Sequence, residues 1–357
     1  MARPDHRLWA VWLLGLLLVP LGLTLARVEP NALPGTTTDA PEWDAGRLLD
    51  DAYYRSIDDW IRDESNARGA GLWTRHLIDY RLFGDASSPL VAIGDNGWAF
   101  SRSWIDVPCA DIDAIAAPSG SPFITWTVPI AKSHWLDHLL EPHDRGDACT
   151  ESARKDLRER MTDDPRGLDV NQAFDDDAAG RFYRRDPHWN GAGRIAVAEL
   201  IVERFAPGLW DPGAIVATEE SLLQGMDRFL GVNDRSTVAD VDVDRGITVE
   251  HVSDPVDGLG ILIWQHSRAH ADDVVPGTTY MFGDSQMASV VPEIEQYFEE
   301  LIFVGWLRAA LGPLPYDQLP APDRVFVEAL DQSAAQSFQQ PVLAEVIARL
   351  PAADDEG

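Results

Sequence analysis

Two short segments carry side chains suited to covalent chemistry together. In TTYMFGDSQM an apolar run ends at Gly283, Asp284 and Ser285, and a helix is expected to begin there. A serine so placed sits at the carboxyl end of a strand and the amino end of a helix, the crevice where parallel sheets bind ligands. Backbone N–H groups and the helix dipole at that point favour a developing oxyanion, and Gly283 is expected to permit a sharp turn. In FYRRDPHWNGAG, Asp186 and His188 lie two apart around Pro187 and project to the same side of an extended chain. A seryl hydroxyl needs a base, and the base needs a carboxylate that sets its tautomer and stabilises the imidazolium. Ser285, His188 and Asp186 supply one group each. Taken singly the segments are weaker signals: Gly-Asp-Ser also suits an ordinary helix cap, and Asp186 with His188 also suits a capping aspartate beside a surface histidine.

The elements that must position these groups read as alternating strands and helices. Between Leu48 and Phe83 the apolar residues Tyr53, Ile57, Trp60, Ile61, Leu72, Leu77 and Tyr80 predict two helices broken around Ala67–Gly71. LVAIGDNGWAF carries a β-hairpin signal turning at Asp95–Gly97. PFITWTVPI predicts a buried strand and AKSHWLDHLL a helix after it. The helix opened by the turn at Asp186–Gly193 presents Ile195, Ala198, Ile201, Val202 and Phe205 on one face. TTYMF, ELIFVGW and DRVFVEAL read as strands, and a last helix runs through Val342 to Leu350. Such alternation implies a mostly parallel sheet covered on both faces. The stretch from Pro207 to Pro276 reads as less regular, an insertion or a lid.

The chain has 357 residues, with 59 acidic against 29 basic and a formal charge of −30. That balance excludes nucleic acid as a partner, because a polyanion is repelled rather than recruited by counterion release. From Leu8 to Ala26 no charge occurs, and Arg3, His6 and Arg7 precede the run. Its length suits a bilayer span, and the positive-inside rule places everything after Arg27 outside the cytoplasm. Small residues at Thr24 and Ala26 also leave a cleaved signal open. The expected organisation is a cytoplasmic tip and signal-anchor helix at 1–27, a Pro/Thr-rich linker at 28–47, one catalytic domain at 48–350 and an acidic tail at 351–357. The only cysteines, Cys109 and Cys149, are compatible with one disulfide or with two buried thiols. His134 with His138, and His266 with His270, have the i, i+4 spacing of zinc ligands on a helix but no third ligand in a recognised pattern, so no metal is expected.

The two chemical segments, taken with their neighbours, resemble the alginate O-acetyltransferases AlgJ and AlgX and their SGNH-hydrolase-like relatives. The resemblance is co-linear over roughly Leu48 to Ser333. It takes in LVAIGDNGWAF (similar to the family's V-x-G-x-D-G-W-L-F), VPIAKSHW (V-P-x-K), the D-x-H-W motif, GMDRFLGV (a poorer copy of G-D-L-x-x-x-L-G) and GDS. It implies a three-layer α/β/α, flavodoxin-like SGNH-hydrolase-like domain, circularly permuted because Asp186 and His188 precede Ser285. It further implies Ser285 as nucleophile, His188 as base and then acid, and Asp186 as the orienting carboxylate. Gly283, Asp284, Gln286 and Gly305 are the candidate oxyanion and substrate positions. GVND at Gly231–Asp234 mimics an oxyanion block of ordinary SGNH hydrolases but reads as a structural loop. Two departures bear on the site. Gln286 stands where the family carries an aromatic, which implies a differently shaped acceptor pocket, and Asp331 with Gln332 replace a Glu-Arg pair in DRVFVEALDQS. The implied activity is O-acetyl transfer to an exported polysaccharide or cell-wall glycan, with the donor acetyl group delivered by a membrane O-acyltransferase and no cofactor. A carbohydrate acetylesterase using the same triad, and an inactive polysaccharide-binding subunit, remain open alternatives at this point.

Overall fold

The computed structural model describes residues 75–351, apart from positions 87, 119, 233–234, 259–260, 311–313 and 315–317. The span from Leu8 to Ala26, the linker, most of the two helices expected after Leu48, and the acidic tail beyond Pro351 lie outside the described residues. Among the described residues no helix is long and apolar enough to cross a membrane. The chain divides into two compact units, one the described part of Met1–Ile93 with Gly225–Asp234, the other Gly94–Gln224 with Arg235–Gly357.

In the smaller unit a helical turn at Asp79–Phe83 closes on Gly84 at φ 67°, and strand β1 (Val91–Ile93) follows. GMDRFLGV forms a 3-10 turn, Asp227–Leu230, which Gly231 ends at φ 65°. Asn233 and Asp234 of GVND lie outside the described residues.

The larger unit opens on the Asp95–Gly97 turn, where Asn96 takes the left-handed φ of 56°, and strand β2 (Ala99–Ser101). Its framework is a six-stranded sheet. Strands β3 (Ile124–Thr127), β8 (Val275–Gly283), β9 (Phe298–Gly305) and β10 (Arg324–Glu328) pair in parallel in the order β3-β10-β8-β9. β7 (Ile261–Ala269) and then β6 (Val249–Gly258) extend the sheet antiparallel. The stretch expected to be irregular is therefore largely strand, since β4 (Ile215–Leu222) and β5 (Ser236–Val243) also pair antiparallel. Acidic residues in β4 to β6, Pro255 and Gly258 in β6, and the polar run Gln265–Arg268 in β7 dilute the apolar alternation, so the stretch reads as loop.

The parallel strands are apolar on both faces because both are covered. Tyr280, Phe282, Ile302, Val304, Val325 and Val327 share a core with Ala153, Leu157 and Met161 of helix α1 (Ala148–Asp163) and with Val342, Leu343 and Val346 of a C-terminal helix (Pro341–Ile347). Alternate residues point the other way. There Phe326 meets the ring of Phe205, the last residue of helix α2 (Gly191–Phe205), at 6.1 Å. Four of the five residues expected on the inner face of α2, Ile195, Ala198, Ile201 and Val202, are buried, and Phe205 packs on Phe298 as well. The helix expected from AKSHWLDHLL is only one α-turn, Lys132–Trp135, and one 3-10 turn, Asp137–Leu139; Leu136 between them has φ −120°.

A disulfide joins Cys109 to Cys149 at the start of α1, closing a loop of 40 residues. A cross-link over a loop of this size stabilises chiefly by restricting the unfolded chain. Replacing Cys149 by Ser should lower the unfolding free energy in a urea titration by about 2–4 kcal/mol.

Candidate active site

Strand β8 lies between β10 and β9, so its carboxyl end is held in register from both sides: Phe282 opposite Val327 and Val304, Gly283 opposite Gly305. The chain leaves the strand at Gly283, and Ser285 is the first residue of helix α3 (Ser285–Ile294). The φ of Gly283 is not positive, so the turn does not require glycine for its dihedrals. Space requires it, because a Cβ there would lie 2.4 Å from Met287 Cβ and 3.0 Å from a Glu328 carboxyl oxygen.

Asp284 is the N-cap of α3 rather than a group facing substrate. Its Oδ1 accepts from Gln286 N at 2.8 Å, its Oδ2 accepts from Leu330 N at 2.9 Å, and its own N–H donates to Glu328 Oε2 at 2.9 Å. Burial raises the pKa of Asp284, and the backbone N–H bonds from Leu330 and Gln286 draw it back. Glu328, fully buried at the end of β10, is pushed well up by burial and by the charge of Asp284. With both its oxygens accepting N–H groups, Asp284 is favoured in its charged form, and of the two carboxyls Glu328 is the one pushed further toward its protonated form.

The second segment is a tight loop. Phe182 bridges Trp189, Tyr183 N donates to His188 O at 3.2 Å, and Asn190 N donates to Arg181 O at 3.0 Å. Trp189 is 1 % exposed and stacks on Phe174 at 5.6 Å, anchoring one side of the loop. Asn190 caps α2 through Gly193 N, which ends the loop directly after His188. Asp186 Oδ1 accepts from His188 N at 2.9 Å and lies 2.5 Å from Nδ1. With that nitrogen carrying its proton toward the carboxylate, Nε2 is left to accept. Nε2 is 2.8 Å from Ser285 Oγ. Burial pulls the imidazole pKa down, but the hydrogen bond and charge of Asp186, with the charge of Asp284, outweigh it and hold the pKa above its ordinary value.

The structure thus brings Asp186, His188 and Ser285 together as a hydrogen-bonded series, with Oγ at the positive end of α3. Asx-capping of α3 and the short Asp186–His188 turn are both local, which is why each was legible in its own segment.

Gln286, one of the expected oxyanion and substrate positions, turns its side chain inward: it is 1 % exposed, donates from Nε2 to Pro187 O at 3.2 Å and accepts at Oε1 from Trp189 N at 3.2 Å. One primary amide thereby grips the residues on either side of His188. Gly305 is one strand away from the serine turn, and its lack of a side chain is accounted for by Ile263, whose Cα would lie 3.0 Å from a Cβ. Asp331 does not lack an arginine: Arg154 of α1 donates from Nε to its Oδ2 at 2.7 Å, with both side chains buried. Arg154 also donates to Trp104 O at 3.3 Å, and the half-buried Trp104 ring meets His188 edge-on at 6.4 Å. Gln332 begins no comparable pairing among the contacts described.

Three of the four paired histidines lie beside carboxylates. His266 lies in β7 beside Glu300 at 2.8 Å, and His270 follows the strand beside Glu250 at 3.3 Å, so their spacing is not that of one helical face. His134 lies 2.6 Å from Glu151. Among the described residues no group of three metal-ligating side chains occurs. Three site residues were not singled out from sequence: Glu328, Trp189 and Lys132. Each sat inside a quoted motif, but its role depends on partners far away in the chain.

The fold and the site define a mixed α/β protein with a central sheet and a Ser–His–Asp constellation at the carboxyl ends of its strands. Compared with the models of known protein families, the sequence matches none, and it matches no curated protein. Solved structures do match. PatB1 of Bacillus cereus, in a structure with a sulfonyl adduct, is 10% identical over 72% of this chain and 99% of its own, with a TM-score of 0.51; the two share a fold. The chain is also similar to the O-acetyltransferase domain of Pseudomonas putida AlgJ (14% identity, 73% of this chain and 99% of that one, TM-score 0.42) and to Pseudomonas aeruginosa AlgX (12% identity, 77% and 69%, TM-score 0.43). These are members of the group that the motifs resemble.

Removing the Gln286 amide should loosen His188 without touching substrate. Gln286→Leu is expected to lower kcat for a small acetyl ester by roughly 10- to 100-fold, because sub-ångström placement of the base is lost. KM should stay within about 2-fold, as it reports ground-state binding; steady-state kinetics on the folded variant check both.

Proposed function

We propose that this chain is an O-acetyltransferase that works through an acyl-serine and transfers the acetyl group to a hydroxyl of an exported polysaccharide or cell-wall glycan. The observation that carries the reading is the continuous hydrogen-bonded series from Asp186 Oδ1 through His188 to Ser285 Oγ, at 2.5 and 2.8 Å. In the first half-reaction Ser285 Oγ attacks the acetyl carbonyl while its proton passes to His188 Nε2. The tetrahedral oxyanion forms beside the amino end of α3, whose dipole favours it. The donor's alkoxide leaves with the proton from His188, and Ser285 holds the acetyl ester. In the second half-reaction a sugar hydroxyl attacks that ester, its proton goes to Nε2, and Ser285 departs by taking it back. Asp186 balances the imidazolium in both halves.

The substrate class rests on the resemblance of the ordered motifs to the AlgJ and AlgX group, together with the O-acetyltransferase domain of AlgJ among the similar structures. In this reading the domain is SGNH-hydrolase-like and circularly permuted, which agrees with the chain order Asp186, His188, Ser285. The chain is held on the outer side of a membrane by Leu8–Ala26. Supporting that placement are the uncharged run itself with Arg3, His6 and Arg7 before it, and the Cys109–Cys149 disulfide, which suits an oxidising compartment. Acetyl groups then reach Ser285 from a membrane O-acyltransferase, because acyl-CoA donors stay in the cytoplasm.

Acetate release from para-nitrophenyl acetate, with and without oligosaccharide acceptors, tests the reading. Wild-type chain should yield acetylated sugar, and Ser285→Ala should lose activity on the order of 10⁴-fold or more. Release to water alone, undiminished by acceptor, would replace the transferase with an esterase; equal rates in wild type and variant would remove the triad assignment.

The pH dependence has a defined sign. His188 must be neutral to accept the seryl proton, and its pKa is raised above 6.5. The kcat/KM profile should therefore fall as pH drops through a midpoint above 6.5, and this acid limb should move down in Asp186→Asn, in which the raising charge is gone.

A further inference from the structure

Lys132 belongs to the VPIAKSHW segment that follows β3, and nothing in the acyl-transfer steps uses it. Its side chain is 2 % exposed. Nζ donates toward four backbone carbonyls: Ala99 at 2.9 Å, Tyr183 at 2.8 Å, Arg184 at 3.1 Å and Asp186 at 3.0 Å. The rings of Trp98 and Phe100 stand 4.8 and 5.1 Å from it. Three of the four acceptors lie on one arm of the loop, Tyr183–Asp186, that delivers the Asp186 carboxylate and, two residues later, the His188 imidazole.

The chemistry of the group narrows its role. An ammonium has three protons and no acceptor, which suits a cage of carbonyl oxygens; a neutral amine has only two, and its lone pair is repelled by the remaining oxygens. The cage is a charge-assisted one, stronger than neutral hydrogen bonds. The charge of Asp186 favours the ammonium, and the ammonium in turn lowers the pKa of His188, so two triad members lie within its field. A buried cation here thus fixes the backbone of the triad loop and adds its field to the pair at the loop's tip.

We propose that Lys132 is the positioning residue of the triad: its protonated amine clamps the Tyr183–Asp186 arm so that Asp186 and His188 meet Ser285, and turnover stops when that proton is lost. The inference rests on the acyl-serine reading. Burial draws the Lys132 pKa down to about 7, opposed by the charge of Asp186, and the four carbonyl acceptors favour the charged form as well. The proton is lost as pH rises, so this residue supplies an alkaline limb to a profile whose acid limb belongs to His188.

The test uses the purified full-length chain and two readouts across pH, fluorophosphonate labelling of Ser285 and hydrolysis of para-nitrophenyl acetate. Wild type should show an alkaline decline without change in its circular dichroism. Lys132→Met should lower kcat on the order of 100-fold, as expected when a base is misplaced by about an ångström, leave KM within about 2-fold, and lose the alkaline limb. Lys132→Arg keeps a charge that does not titrate and should retain more activity than Lys132→Met, also without the limb. A Lys132→Met variant with wild-type kcat and profile overturns the proposal. So does a wild-type labelling rate that stays flat up to about pH 10.4, where an ordinary lysine titrates; that measurement decides the matter even if neither variant folds. Wild type that labels no better than Ser285→Ala removes the acyl-serine reading itself, and the role of Lys132 with it.

Discussion

The 2.8 Å contact between His188 Nε2 and Ser285 Oγ joins residues 97 apart in the chain, and it constrains everything around it. In the proposed acyl transfer a proton moves along it, so an error of about an ångström in either partner removes most of its value. Neither partner is held by its own segment alone. Ser285 is fixed because β8 is register-locked between β10 and β9 and because Asp284 caps α3 while accepting from Leu330 beyond β10. His188 is fixed because its loop is stitched by Phe182 and Trp189, gripped by the Gln286 amide and seated on the Lys132 ammonium. Gln286 is one residue after Ser285, so the same turn that presents Ser285 also restrains His188.

Charge is distributed to suit that contact. The charges of Asp186 and Asp284 favour the protonated form of His188, while that of Lys132 opposes it. Burial and the charge of Asp284 push Glu328 toward its protonated form, which opposes a third negative charge beside the Asp284 N–H that it accepts. Burial in a low-dielectric interior makes each of these terms larger than it would be in water.

A second chain of contacts supports the rim. The Cys109–Cys149 disulfide ties the segment after Trp104 to the first turn of α1. Arg154, further along that helix, pairs with Asp331 and bonds the carbonyl of Trp104, whose ring meets His188. An ion pair this deeply buried contributes little net stability over an apolar replacement, yet breaking one side of it costs roughly 3–5 kcal/mol. Its use here is geometric, since it holds an aromatic edge beside the base from an element on the other side of the sheet end.

Local features were legible without the fold. The apolar run before Gly283, the Asp-Pro-His spacing and the inner face of α2 depend on neighbours within a few residues, and the alternation of strands with helices reflects burial on two faces. Tertiary structure decided what depends on distant partners. Gln286 reads as a pocket residue until Pro187 and Trp189 are found at its amide; Asp331 reads as an orphan until Arg154 arrives from 177 residues away; Lys132 and Glu328 are unremarkable until burial and their acceptors are known. Strands β4 to β6 were hidden for the complementary reason that strands rich in acid carry a weak apolar alternation, and β7 because its buried centre, Gln265 to Ser267, is polar; pairing with one another and with β9 makes them strands. The residue types and their order came from the sequence; which of them share a proton, a cage or a cap is a property of long-range packing.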